Sequence, residues 1–144
     1  WTALSCHRFD PRGERLAVEV RADPAAVRCD ANLAQAALDV LLNNAWKFRR
    51  GQRVHARVEA ERRDGALRLG VTDDGRGIDR DTLRRAGELG YSSRASGVGL
   101  GLFRLRWAAR GAGGALLIHP AEGGARVSLF VPANTAEGGG RGEP

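Results

Sequence analysis

Three short runs hold the residues able to do chemistry. The first is Leu41-Leu42-Asn43-Asn44-Ala45-Trp46-Lys47-Phe48. An amide set deep in an otherwise apolar helix costs free energy unless its hydrogen bonds are satisfied. Helical spacing puts positions 40, 44, 47 and 48 on one face, so Asn44, Lys47 and Phe48 would offer an oxygen ligand, a cation and an aromatic ring together. A hard Mg²⁺ ion accepts an amide oxygen while keeping its waters and phosphate ligands, and a lysine one turn on neutralises phosphate. Lys47 is the only lysine in the chain. Taken alone, the run is equally an amphipathic helix with a satisfied core amide.

The second run, Asp73-Asp74-Gly75-Arg76-Gly77-Ile78, directly follows a predicted strand. A carboxylate at a strand end accepts the exocyclic amino hydrogen of adenine, and Gly75 and Gly77 would let backbone approach the base closely. Alone, the same pattern is a plain Asx/Gly turn. The third, Gly97-Val98-Gly99-Leu100-Gly101-Leu102, opens a predicted helix, where exposed N–H groups and the helix N-terminus favour phosphate. It follows no strand of a βαβ unit, against a dinucleotide-binding fold, and it lacks the Gly-Lys-Ser/Thr of a P-loop.

The elements that must position these runs follow from periodicity. Arg15 to Val20 alternates as a half-buried strand, Pro24 breaks it, and Val27 to Cys29 reads as a short extended piece. Asp30 is an N-cap for a helix from Leu33 to Phe48, closed by Gly51. Its stripe of Leu33, Ala37, Leu38, Leu41, Leu42, Ala45 and Phe48 faces a core. Strands at Val54 to Ala60 and Leu67 to Val71 flank an Asp64-Gly65 hairpin turn. A short helix spans Asp79 to Ala86, and a small-residue loop runs from Gly87 to Ser96. A second helix covers Leu102 to Arg110, then strands at Ala115 to His119 and Val127 to Val131. From Asn134 the Gly-rich polar sequence reads as a disordered tail. The order β, α, β-hairpin, loop, α, β-hairpin predicts an α/β two-layer sandwich, a mixed sheet with helices on one face.

Length suits one domain, expected over residues 1–132 with the tail at 133–144. At 42% hydrophobic and 28% charged, the composition is that of an ordinary globular chain. No apolar run reaches the ~18 residues of a membrane span, and no signal-peptide pattern opens the chain. It starts at Trp1 and has no methionine, which reads as a piece of a longer protein. Cys6 and Cys29 are too few and too far apart for a metal cluster, and are read as reduced thiols. The net charge of +6 comes from scattered Arg with little aromatic interleaving, so no nucleic-acid partner is expected.

In order and spacing the three runs resemble the GHKL ATPase superfamily, specifically the ATP-binding catalytic domain of sensor histidine kinases, from about Leu16 to Pro132. Leu41 to Phe48 resembles the N box, Asp73 to Ile78 the G1 box and Gly97 to Leu102 the G2 box. Gly87-Glu88-Leu89-Gly90-Tyr91-Ser92-Ser93-Arg94 looks like a short ATP lid, and Phe130-Val131-Pro132 like the terminal Leu-Pro. The resemblance implies a Bergerat-type fold and the cofactors ATP and Mg²⁺. Asn44 would bind Mg²⁺, Lys47 a phosphate, and Phe48 would line the pocket. Asp73 would read the adenine amino group, with Gly75, Gly77 and Ile78 shaping that wall. Gly97, Val98, Gly99, Leu100 and Gly101 would hold the phosphates. Arg94 would meet the γ-phosphate, and with Lys47 would stabilise charge during transfer.

The same resemblance implies two partners, a phosphoacceptor and dimerisation domain of the parent kinase and a response regulator. It implies a cytoplasmic domain without direct membrane contact, any anchor lying elsewhere in the parent. Two positions depart from the pattern. Val40, four before Asn44, stands where histidine kinases commonly have Asn and ATP-hydrolysing relatives a general-base Glu, and valine cannot polarise water or a hydroxyl. Ala125 stands where the family often has Thr, whose loss removes one hydrogen bond worth ~1 kcal/mol. His7, His55 and His119 lack the sequence context of a phosphoacceptor, so the chain is not expected to autophosphorylate alone. The readings that remain are an active histidine-kinase catalytic domain, a pseudokinase that docks partners, and an anti-sigma-type serine kinase.

Overall fold

The structure is a computed structural model that describes residues 15–23, 30–86, 88 and 100–132. Val27 to Cys29, Cys6, His7, most of the Gly87–Ser96 loop and the tail from Asn134 lie outside the described residues. Five strands and three helices follow in chain order: β1 (Leu16–Ala22), α1 (Ala31–Lys47), β2 (Val54–Arg63), β3 (Ala66–Asp73), α2 (Arg80–Arg85), α3 (Gly101–Gly111), β4 (Ala115–Ala121) and β5 (Gly124–Pro132).

Helix α1 begins where the sequence offers a cap. The Asp30 carboxylate accepts from the N–H groups of Asn32 and Leu33, at 2.9 and 3.2 Å, so two otherwise unpartnered donors are satisfied. The helix therefore starts at Ala31, two residues before the apolar stripe that predicted Leu33. It ends at Lys47, with Phe48 as its C-cap at φ −98° and ψ 16° rather than as its last helical residue. Gly51 lies beyond that end, in the turn into β2, with φ +65°. The buried face carries Ala34, Ala37, Leu38, Leu41, Leu42 and Ala45; it adds Ala34 to the predicted stripe, and Leu33 and Phe48 at the stripe's two ends are only partly buried.

The sheet runs in the order β1-β2-β3-β5-β4. β1 pairs parallel with β2 across the α1 crossover, and the other neighbours pair antiparallel. One parallel pair among antiparallel ones makes the sheet mixed, with α1 and α3 packed on a single face. The β2–β3 turn uses Asp64 and Gly65, both at positive φ, the conformation a tight two-residue hairpin demands. Every strand runs slightly longer than its apolar alternation indicates, because ladder pairing continues past the last core side chain, although β1 starts at Leu16 rather than Arg15.

Alternation sorts the sheet into two faces. Val54, Ala56, Val58, Leu67, Leu69, Val71, Val127, Leu129 and Val131 point at the helices and are buried. Leu41, Leu42 and Leu129 are the largest fully enclosed side chains, so the core centres between α1 and the middle of the sheet. The opposite face is a lattice of ion pairs, Glu19 with Arg57 at 3.0 Å and Arg68 with Glu61 at 2.8 Å among them. Such pairs add little stability individually. Their use here is to keep this face of the sheet polar where none of the described helices covers it.

Two substitutions weigh these contributions. Asp30→Ala is expected to cost about 1 kcal/mol in urea denaturation, and Leu41→Ala about 2–5 kcal/mol. A Leu41→Ala cost no larger than the cap's would mean that α1 is not the core helix.

Candidate functional site

Four elements meet at one end of the sandwich. β3 ends there at Asp73, β5 begins there at Gly124, α1 has just ended at Lys47, and α3 starts at Gly101. Asp73 pairs across the ladder with Ala125 on one side and Ala56 on the other. Its half-buried carboxylate accepts the Gly75 N–H at 2.8 Å, and the nearby Ala125 amide also favours its charged form. Burial pushes the Asp73 carboxyl above its ordinary range; the two amides oppose that rise and the nearby Asp74 adds to it.

The adjacent carboxylate has a different task. Asp74 is exposed, accepts the His55 N–H at 2.8 Å, and donates its own N–H to the His55 carbonyl at 3.2 Å. It fastens the loop to the start of β2. Asp73 is instead set inward, with its carboxylate held by the Gly75 amide.

The glycines of this loop are tight against protein. A Cβ on Gly75 would lie 2.6 Å from the Phe48 carbonyl oxygen and 2.8 Å from the Asp73 carboxylate. Gly77 has φ +77° and packs against the Gly124 carbonyl. Sequence reasoning assigned both glycines to close approach of a base; the contacts within the chain already require them. Gly124 was missed. A Cβ there would meet the Asp73 carbonyl oxygen at 1.8 Å, so only glycine lets β5 start beside this carboxylate. The Gly123-Gly124 pair was legible only as a turn.

The end of α1 is joined to the same loop. Asn44 is half-buried and Lys47 exposed on the last turns, and the Asn44 carbonyl accepts the Phe48 N–H at 3.0 Å. The Phe48 carbonyl in turn accepts the Arg76 N–H at 2.8 Å. The first and second runs are thereby stitched together through backbone.

Helix α3 supplies the third part. Leu100 is its N-cap residue and makes no side-chain cap bond, in contrast to Asp30 on α1 and Asp79 on α2. No acidic residue lies in its first turn. A helix start without a side-chain cap or an acidic residue in its first turn suits an anion. Gly101 sits against α1, where its Cβ would be 3.3 Å from a methyl of Val40. Val40 is therefore packing that sets α3 against α1, and offers no acceptor atom. Ile78 is half-buried in the same loop as Asp73. Arg94, Gly97, Val98 and Gly99 lie outside the described residues.

The donor set fits a metal only in one way. Among the described residues no group of three His, Cys, Asp or Glu side chains converges. Asn44 alone would serve an ion held otherwise by phosphate and water.

Comparison with known proteins agrees with this fold. A sensor-like histidine kinase of Rhizobium meliloti (strain 1021), itself uncharacterized, is 32% identical over 142 residues, covering 93% of this chain and 27% of the relative. The chain thus spans about a quarter of that relative's length. The nucleotide-free catalytic domain of histidine kinase ThkA superposes with a TM-score of 0.78 at 18% identity, covering 92% of this chain and 90% of that one. Full-length ShkA in complex with AMPPNP gives a TM-score of 0.74 at 22% identity over 91% of this chain and 29% of that one. Those two likenesses establish the fold. Residues 29–135 match the family model, and with it the chain belongs to the histidine kinase-, DNA gyrase B- and HSP90-like ATPases.

Proposed function

We propose that this domain binds Mg-ATP and donates the γ-phosphoryl group to a histidine on a dimerisation and phosphoacceptor segment outside the chain, in two-component signalling with a response regulator. The observation that carries the reading is the Asp73 carboxylate, half-buried and held by the Gly75 amide with the Ala125 amide nearby, at the end of the sandwich where α1 stops and α3 starts. A purely structural carboxylate gains nothing from such burial, whereas a reader of an adenine amino group gains selectivity. In support, ShkA has this fold and was determined in complex with AMPPNP.

On this reading Asp73 accepts from the adenine amino group, with Gly75, Gly77 and Ile78 forming the wall and Phe48 a side of the pocket. Asn44 holds Mg²⁺, Lys47 a phosphate, and Leu100 and Gly101 offer α3 amides to the phosphate chain. Arg94, Gly97, Val98 and Gly99 complete the phosphate site. ATP supplies the phosphoryl group, and Mg²⁺ neutralises charge on it. The chain's own residues bind, orient and compensate charge, which is most of what phosphoryl transfer asks of a protein.

Val40 narrows the chemistry. It has no atom to accept a proton and is held against Gly101, so water or a serine hydroxyl would go unactivated at that place. The acceptor histidine, a nucleophile in its own right, needs no such base. Val40 and Ala125 also favour the second reading, a pseudokinase that works by docking, which differs in giving no phosphohistidine.

Calorimetric titration with ATP is expected to show saturable, Mg²⁺-dependent binding that Asp73→Asn abolishes. Wild-type affinity in that variant would remove Asp73 from adenine recognition. The variant should also be the more stable protein at neutral pH. Because the folded Asp73 pKa is raised above 3.8, its ionisation works against folding as pH climbs through the raised value. The stability gain of Asp73→Asn should therefore grow from pH 3 towards pH 7 in thermal melts; a loss that grows over the same range would contradict the burial argument. Joined to its own dimerisation segment, the domain should yield acid-labile phosphohistidine, and Asn44→Ala should stop it. ATP binding without phosphohistidine would support the docking reading instead.

A further inference from the structure

Arg49 stands just past the end of α1 and folds back onto it. Its guanidinium carbon lies 4.0 Å from the centroid of the Trp46 ring. Its Nη1 donates to the Trp46 carbonyl at 2.7 Å. That carbonyl is one of the last four of the helix, which lack an intrahelical donor. The Nε is buried and makes no hydrogen bond among the described residues, so the group is placed for stacking and for one carbonyl rather than for the largest number of bonds.

Lys47 and Phe48 lie between the two clamped residues. Phe48 is held on one side by the Asn44 carbonyl and on the other by the Arg76 N–H. There is no slack in that second contact, because the Phe48 oxygen is already within 2.6 Å of where a Gly75 Cβ would be. If the turn after Trp46 opened, the Phe48 carbonyl would leave Arg76. The end of α1 would then lose its fixed place relative to the Asp73 loop.

Resting on the nucleotide-site reading above, we propose that Arg49 is a positioning residue, whose clamp on Trp46 holds the α1 end bearing Asn44 and Lys47 in register with the Asp73 loop. It does this through the Phe48–Arg76 backbone bond and does not touch the nucleotide. The planar guanidinium is the working part, since an ammonium does not stack and cannot hold the same carbonyl in a fixed plane.

The test uses the 144-residue chain, with Arg49→Ala and Arg49→Lys, in two measurements. Amide hydrogen exchange without nucleotide should be about tenfold faster at Arg76 in both variants, with the Val127 amide of the central sheet unchanged. Mg-ATP affinity should fall about tenfold in both, while the affinity for adenosine, which needs only the Asp73 wall, stays within about twofold. Wild-type exchange at Arg76 in Arg49→Ala would overturn the clamp. Full rescue of Mg-ATP affinity by Arg49→Lys would show that charge suffices, and an equal loss of adenosine affinity would show a general structural defect; either overturns the proposal. A wild-type chain that binds no ATP would defeat the nucleotide-site reading, while the exchange at Arg76 would still decide whether Arg49 holds the turn.

Discussion

A carboxylate that selects a ligand by hydrogen bonding must be screened from water, yet it must stay charged to accept strongly. Asp73, the carboxylate proposed for that role, sits on that compromise. Half-burial raises its proton affinity, and two backbone amides, from Gly75 and Ala125, pull it back towards the charged form. The Gly75 amide comes from the loop and the Ala125 amide from β5, so the carboxylate is set in place only if β3 and β5 pair in register and the loop turns tightly behind it. Much of the chain's unusual sequence at this end follows from that requirement.

The glycines show how strict it is. Gly124 can carry no side chain because β5 starts against the Asp73 carbonyl, and Gly75 none because the Phe48 carbonyl and the carboxylate converge on it. Val40 and Gly101 do for the helices what these glycines do for the strands: a methyl against a missing side chain brings the start of α3 onto α1. The first and second runs are thus joined by backbone contacts, and the start of α3 meets α1 through a side-chain methyl.

What was legible in the sequence was what depends on local chemistry. Asp30 announced the start of α1, the apolar stripe its buried face, and Asp64-Gly65 the hairpin. Asn44, Lys47 and Asp73 stood out because each is costly or rare where it sits. Contacts between distant segments were not legible. Nothing local indicates that the Ala125 amide lies near Asp73, that Phe48 leaves the helix and binds Arg76, or that β1 lies parallel to β2. Ala125 looked like a lost hydroxyl, yet its backbone amide lies near the Asp73 carboxylate and favours its charged form. Arg49 read as one more scattered cation until the fold brought it over Trp46.

The account's central claim is that ligand recognition belongs to the end of the sandwich where Asp73, Gly101 and the tip of α1 meet. The opposite end has a cleft of its own, about 270 Å³, lined by Leu33, Leu67, Ala112 and Val131. Amide NMR shifts followed during titration with Mg-ATP separate the two directly. Saturating shifts at Gly75, Arg76, Gly101 and Ala125, with Ala34 and Ala112 still, are the predicted result. Shifts confined to the far cleft, or none from a folded chain at millimolar ATP, would contradict it.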